Sequence, residues 1–221
     1  MNRRNLILGA SALGLAAFAG GTVYISRQRA AEAEAQAALA AAAPPADNQL
    51  LIRAYSPTLG PADAKVTLVE FFDPSCEACR AFHPLLKEMR DLFPDDLRIV
   101  MRYAAFHEGS DEAVRILEAA RRQDLFEPVL NALLENQPAW AVHGSPQMQI
   151  AWQVAGSAGM DLQRGQADRL NPEMAGVLNQ DAADIQALGV NQTPTFYLDG
   201  RRLENVSFES LAADIRGAVQ G

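Results

Sequence analysis

Phe71-Phe72-Asp73-Pro74-Ser75-Cys76-Glu77-Ala78-Cys79-Arg80-Ala81-Phe82-His83-Pro84 holds the only two cysteines of this 221-residue chain. The residues before it, Lys65 to Phe72, are strand-like, Asp73-Pro74-Ser75 reads as a turn, and a helical pattern opens at the cysteines. Cys76 therefore falls where the unpaired N–H groups and the positive dipole end of a helix stabilise a thiolate. Cys79 lies one turn on, close enough to close a disulfide with it. The pair reads as a dithiol/disulfide redox centre.

Working outward, Val66-Thr67-Leu68-Val69-Glu70-Phe71-Phe72 is apolar on both faces except at Glu70, as expected for a central strand covered on both sides. The helix after the cysteines carries Phe82, Leu85, Leu86, Met89 and Phe93 at helical spacing, and Pro84 in its interior predicts a kink. Leu97 to Tyr103 reads as another strand and Leu50-Leu51-Ile52 as a short one, with Gly60-Pro61 marking a turn. Ser110 to Leu188 is mostly helical. Ser110 and Asp124 are expected to cap two of its helices, and Trp140 and Trp152 to serve as core or lid residues. Thr193-Pro194-Thr195-Phe196-Tyr197-Leu198 then leads through Asp199-Gly200 to Arg201-Arg202-Leu203, a strong hairpin signal. A last helix begins at Ser207, with Phe208, Leu211, Ala212, Ile215 and Val219 as its buried stripe.

The N-terminus has the form of an export signal: Arg3 and Arg4, then an uncharged stretch from Leu6 to Ser26. Residues 1–29 read as a signal peptide or signal anchor. Ala17-Phe18-Ala19 suits cleavage, whereas Val23-Tyr24-Ile25 prolongs the apolar run and suits an uncleaved inner-membrane anchor through residues 6–26. Both readings place the rest of the chain outside the cytoplasm, in the periplasm. Residues 30–47 are an Ala-rich linker, and residues 48–221 one domain with a helical insertion at about 110–188. In an exported protein, a lone C-x-x-C pair points to redox catalysis rather than to stapling, because so short a loop stabilises little.

A net charge of −8 without a basic cluster argues against nucleic acid as a partner. An apolar fraction of 49% is ordinary for a globular core.

The order strand, helix, strand, helical block, hairpin, helix, with the cysteines opening the first helix and Thr193-Pro194 before the hairpin, resembles an α/β thioredoxin fold with a helical insertion. More closely it resembles the DsbA-like thiol:disulfide oxidoreductases. Gly60-Pro61-Ala62-Asp63-Ala64, Val69-Glu70-Phe71-Phe72, Cys76-Glu77-Ala78-Cys79 and Gly189-Val190-Asn191-Gln192-Thr193-Pro194-Thr195-Phe196 carry the likeness. It implies that Cys76 is the nucleophile, that Cys79 resolves the mixed disulfide, and that Pro194 is a cis-proline facing the dithiol. It further implies that the Thr193 backbone pairs with an extended substrate, and that Glu70 is a buried acid beneath the second cysteine, moving its proton. Protein or peptide thiols and disulfides are the implied substrates, with a membrane redox partner recycling the dithiol. The Cys76–Cys79 disulfide serves without a further cofactor or metal.

Glu77-Ala78, between the cysteines, departs from the histidine expected in strongly oxidising members of the family, and is expected to tune the thiolate. A carboxylate about 6 Å away costs a thiolate roughly 0.7 to 2.8 kcal/mol, against roughly 0.3 to 2 kcal/mol gained at a helix N-terminus. The expectation is a Cys76 pKa above that of the strongest oxidants, with the direction of electron flow left open. Two other readings remain: a metal site using Cys76, Cys79 and His83 on one helical face, and a non-catalytic adaptor on the thioredoxin fold.

Overall fold

Strand β2 (Val66–Phe72) runs through the middle of a five-stranded sheet of order β1-β3-β2-β4-β5 in the computed structural model, which describes residues 22, 24–31 and 47–221. It pairs in parallel with β3 (Leu97–Tyr103) and antiparallel with β4 (Thr195–Leu198). The short strands β1 (Thr58–Leu59) and β5 (Arg201–Arg202) close the two edges, each antiparallel. Leu68 and Phe72 enter one buried cluster and Val69 and Phe71 another, the two-residue alternation of a strand covered on both faces. By the same parity Glu70 shares the face of Leu68 and Phe72.

That face is covered by α3 (Glu77–Leu92) and α10 (Phe208–Gln220), and the opposite face by α2 (Asn48–Leu51) and α9 (Pro172–Leu188). Between β3 and α9, the helices α4 (Ser110–Arg121), α5 (Phe126–Glu135), α6 (Gln137–Trp140), α7 (Met148–Ser157) and α8 (Leu162–Asp168) pack on one another as a cap. The stretch read as an insertion thus divides, because α9 returns to the sheet and packs against β3. A buried charge cluster fixes that return. Arg102 of β3, wholly buried, meets Asp181 at 2.7 Å and Asp184 at 2.6 Å, while Tyr103 N–H donates to Asp181 at 2.7 Å. Trp140 and Trp152 are buried in the cap, their indole N–H groups donating to Leu133 O and to Glu112.

Local chemistry overrides several expectations. Leu50 and Leu51 form a helical turn rather than a strand, since Asp47 caps it by accepting from Gln49 N at 2.9 Å; Ile52 alone is extended. Ser110 is the first residue of α4, not its cap. Gly109, in the left-handed region at φ 83°, takes that position and the Ser110 hydroxyl turns to Asp73. Asp124 is itself left-handed at φ 59°, leaving Leu125 to precede α5. Phe208 sits at the first position of α10, 47% exposed, its ring tilted against that of Phe82 with ring centres 4.5 Å apart instead of joining the buried stripe. Asp199 and Gly200 both take positive φ, as the hairpin turn requires, and Ser207 with Ser210 forms the capping box of α10.

Residues Met1–Ala43 and Pro44–Gly221 form two separate units. In the first, residues 22 and 24–31 are helical (α1), with Gln28 Nε2 donating to the Tyr24 hydroxyl at 3.0 Å. Most of the expected signal or anchor, 1–29, and of the linker, 30–47, lies outside the described residues. Among the described residues no helix is long and apolar enough to cross a membrane.

Candidate active site

Cys76 ends the turn after β2 and caps α3: its N–H donates to Asp73 O at 3.1 Å, and its carbonyl accepts from Arg80 N at 3.1 Å. Two buried side chains hold this turn. Gln137 of α6 donates through Nε2 to Pro74 O at 2.8 Å and to Cys76 O at 3.0 Å. Asp73 accepts from Ser75 N at 2.8 Å and from Ser110 Oγ through one oxygen, and from Phe106 N at 2.8 Å and His107 N at 3.0 Å through the other.

Both cysteines are free thiols, Cys76 6% exposed and Cys79 fully buried one turn behind it. The Cys76 Sγ–H donates to Thr193 O at 3.3 Å, across from the sheet. The Thr193-Pro194 bond is cis, and a groove beside it is lined by Ala78, Phe82, Thr193, Pro194, Phe196 and Leu203. As a thiolate, Cys76 receives a hydrogen bond from the Cys79 thiol, the largest effect. Burial opposes it, and the Thr193 side chain with the N–H groups of Cys79 and Ala78 adds to it, so the Cys76 pKa falls to about 5. Cys79 moves the other way. Its burial, its bond to Cys76 and the charge of Glu70 push its pKa well above the ordinary thiol range.

Glu70 is 1% exposed, and its Oε1 has no hydrogen-bond partner. Burial first and the Cys76 charge second raise its pKa to about 8, so it carries a proton at neutral pH. A narrow cavity of about 10 Å³ lies against it, lined also by His83, Lys87, Arg90 and Glu127.

The Glu77 carboxylate is half exposed and turned to His143, 2.8 Å away. The Ala78 side chain lines the groove, and its N–H faces the Cys76 sulfur. His83 is away from the thiols, its Nε2 2.7 Å from Asn131 Oδ1. Asp73, His107, Gln137 and His143 are the site residues that sequence reading passed over. The two histidines come from separate loops, and neither has a spacing relation to Cys76 that a one-dimensional reading could detect.

Helix α3 thus delivers two unlike thiols to the end of a central strand, faced by the loop before β4. A profile of the thioredoxin family matches residues 53–216, and the chain belongs to that family. Among solved structures, a thioredoxin-like oxidoreductase from Silicibacter pomeroyi DSS-3 is similar at 30% identity and TM-score 0.68, the match covering 80% of this chain and 99% of that one. BdbD from Bacillus subtilis is similar at 23% identity over 75% of this chain and 94% of that one, TM-score 0.66. Wolbachia pipientis alpha-DsbA1 is similar at 13% identity over 78% of this chain and 95% of that one, TM-score 0.69. At these last two identities the likeness is one of fold. A Na(+)/H(+) antiporter NhaA from Herminiimonas arsenicoxydans is 35% identical over 144 residues, which are 65% of this chain and 22% of that protein. The chain spans about a fifth of the length of the curated relatives it matches.

Proposed function

We propose that the chain is an extracytoplasmic thiol:disulfide oxidoreductase acting on protein thiols, with Cys76 as nucleophile and Cys79 as resolving thiol. The carrying observation is the asymmetry of the pair: one thiol at the surface edge of the site with its pKa near 5, the other fully buried and pushed up. A stabilised Cys76 thiolate favours the dithiol form, and so favours oxidation of substrates. In that direction a substrate thiolate attacks the Cys76 sulfur of the oxidised pair. The Cys76–Cys79 bond breaks, and the Cys79 thiolate takes a proton from Glu70. A second substrate thiolate then attacks the substrate sulfur of the mixed disulfide and releases the Cys76 thiolate. The substrate gains a disulfide, the pair gains two electrons, and Glu70 recovers its proton from solvent.

Thr193 and Pro194 form the wall against which an extended substrate segment lies, and Glu77 and Ala78 shape the approach between groove and cap. A membrane redox partner reoxidises the dithiol. Residues 1–29 direct the chain to the periplasm, and residues 6–26 tether it to the inner membrane if they are retained. Periplasmic and thiol-disulfide exchange proteins among the fold's relatives support this reading.

The test is oxidative refolding of a reduced two-cysteine substrate, with the pair's potential measured in glutathione buffers. The expected outcome is stoichiometric disulfide transfer by the oxidised protein, abolished in Cys76→Ser and in Cys79→Ser, a trapped mixed disulfide when reduced Cys79→Ser is given a substrate disulfide, and a potential nearer about −120 mV than about −270 mV. Absence of transfer in both directions would refute the enzyme reading.

A further inference from the structure

We infer that Arg80 is a specificity residue, its guanidinium receiving a carboxylate of the polypeptide substrate on the flank of Cys76 opposite the Thr193-Pro194 groove. The inference rests on Cys76 being the exchanging thiol and names what one side of that site selects.

Helix α3 presents two faces at its cysteine end. With about 3.6 residues per turn, Ala78 and Phe82 point one way, into the groove beside Pro194, whereas Arg80, His83 and Lys87 point the other, toward the cap. Arg80 stands one turn from Cys76. Its N–H donates to Cys76 O at 3.1 Å, and side chains so related lie about 5 to 6 Å apart at Cβ. A polypeptide joined to the Cys76 sulfur therefore has Arg80 within reach.

Two cavities open on that second face, of about 380 and 350 Å³, and Arg80 lines both. The first adjoins the cysteine turn. Gln137, whose amide donates to Cys76 O at 3.0 Å, forms part of its wall, and Pro138, Ala141 and the exposed Val142 give it an apolar side. That volume accommodates one or two side chains of an extended segment.

The other polar groups around the two cavities are mostly engaged. Glu77 is taken by His143 at 2.8 Å, His83 by Asn131 at 2.7 Å and Lys87 by Asp91 at 2.8 Å, while Glu135 is exposed at the second cavity. Arg80 is half-buried, and its guanidinium has no hydrogen bond or ion pair among the described residues. A planar fork of N–H donors at a cavity, without an acceptor, matches a carboxylate, which takes two of them in parallel. Beside an apolar wall such a pair is screened less than one in open solvent. The net charge of the chain, −8, repels acidic polypeptides in general, so a preference for them has to come from a local cation.

The experiment gives the full-length oxidised protein synthetic peptides with a single cysteine and either Asp or Asn two residues before or after it. Second-order rate constants of thiol exchange are each divided by the rate of the same peptide with a small disulfide, which removes the effect of Asp on the peptide's own thiol. In one of the two placements the Asp peptide should exceed the Asn peptide about three- to tenfold. The ratio should fall to about one in Arg80→Gln and below one in Arg80→Glu. A wild-type ratio of one in both placements overturns the inference, as does a preference that persists in Arg80→Gln. If neither variant folds, salt at about 0.5 M replaces them: a wild-type preference for Asp that salt erases supports the inference, and one that salt leaves intact overturns it. Equal exchange with every peptide refutes this inference alone, whereas no exchange with any of them refutes the enzyme reading.

Discussion

Cys76 and Glu70 pull the proton balance of the reduced protein in opposite directions. Cys76 titrates near 5 in the folded chain against an ordinary 9.0, so between those values the folded state binds fewer protons than the unfolded one. Its contribution to stability is complete above pH 9 and is lost as the pH falls through 5. Glu70 titrates near 8 against an ordinary 4.5, so its contribution is complete below pH 4.5 and is lost as the pH rises through 8. Urea unfolding of the reduced protein and of Cys76→Ser at pH 5 and pH 7 should show the wild type gaining on the variant by on the order of 2 kcal/mol over that interval. Glu70→Gln should remove the opposite trend. It should also slow formation of the mixed disulfide, the step in which Cys79 leaves and takes its proton, at least about tenfold and erase the inflection near pH 8 from the rate profile, as measured by stopped flow. Both cysteines were legible in the sequence by their spacing, and Glu70 through the family resemblance. The part of Glu77 was not, since its neighbour His143 lies 66 residues away.

At the scale of elements, patterning found β2, α3, β3, the β4–β5 hairpin and α10, where long apolar runs and turn residues agree. It failed where a single side chain decides the local backbone: Asp47 turning Leu50 and Leu51 into a helix, Gly109 displacing Ser110 from the cap. The docking of α9 was equally out of reach, because it depends on Asp181 and Asp184 meeting Arg102 from 79 and 82 residues away. Breaking such a buried cluster leaves a charge with too few partners. Asp181→Asn should therefore cost about 3 kcal/mol in urea unfolding while leaving the Cys76 titration where it is.

On the scale of the whole molecule, the sheet, both of its covering layers and the cap all lie within Pro44–Gly221. A chain of residues 44–221 should fold by itself, with a melting temperature within about 3 °C of the full chain and an undiminished rate of thiol exchange, checked by calorimetry and substrate refolding. What the sequence by itself determined was the dithiol, its helix and the order of elements, all of which rest on local spacing and periodicity; the buried acid came from the family resemblance. Only the tertiary structure decided how the C-x-x-C pair is tuned. Thr193 before β4 and Gln137 from the cap meet Cys76, His143 meets Glu77 and His107 meets Asp73 by folding alone, and an electrostatic balance depends on distance in space rather than along the chain.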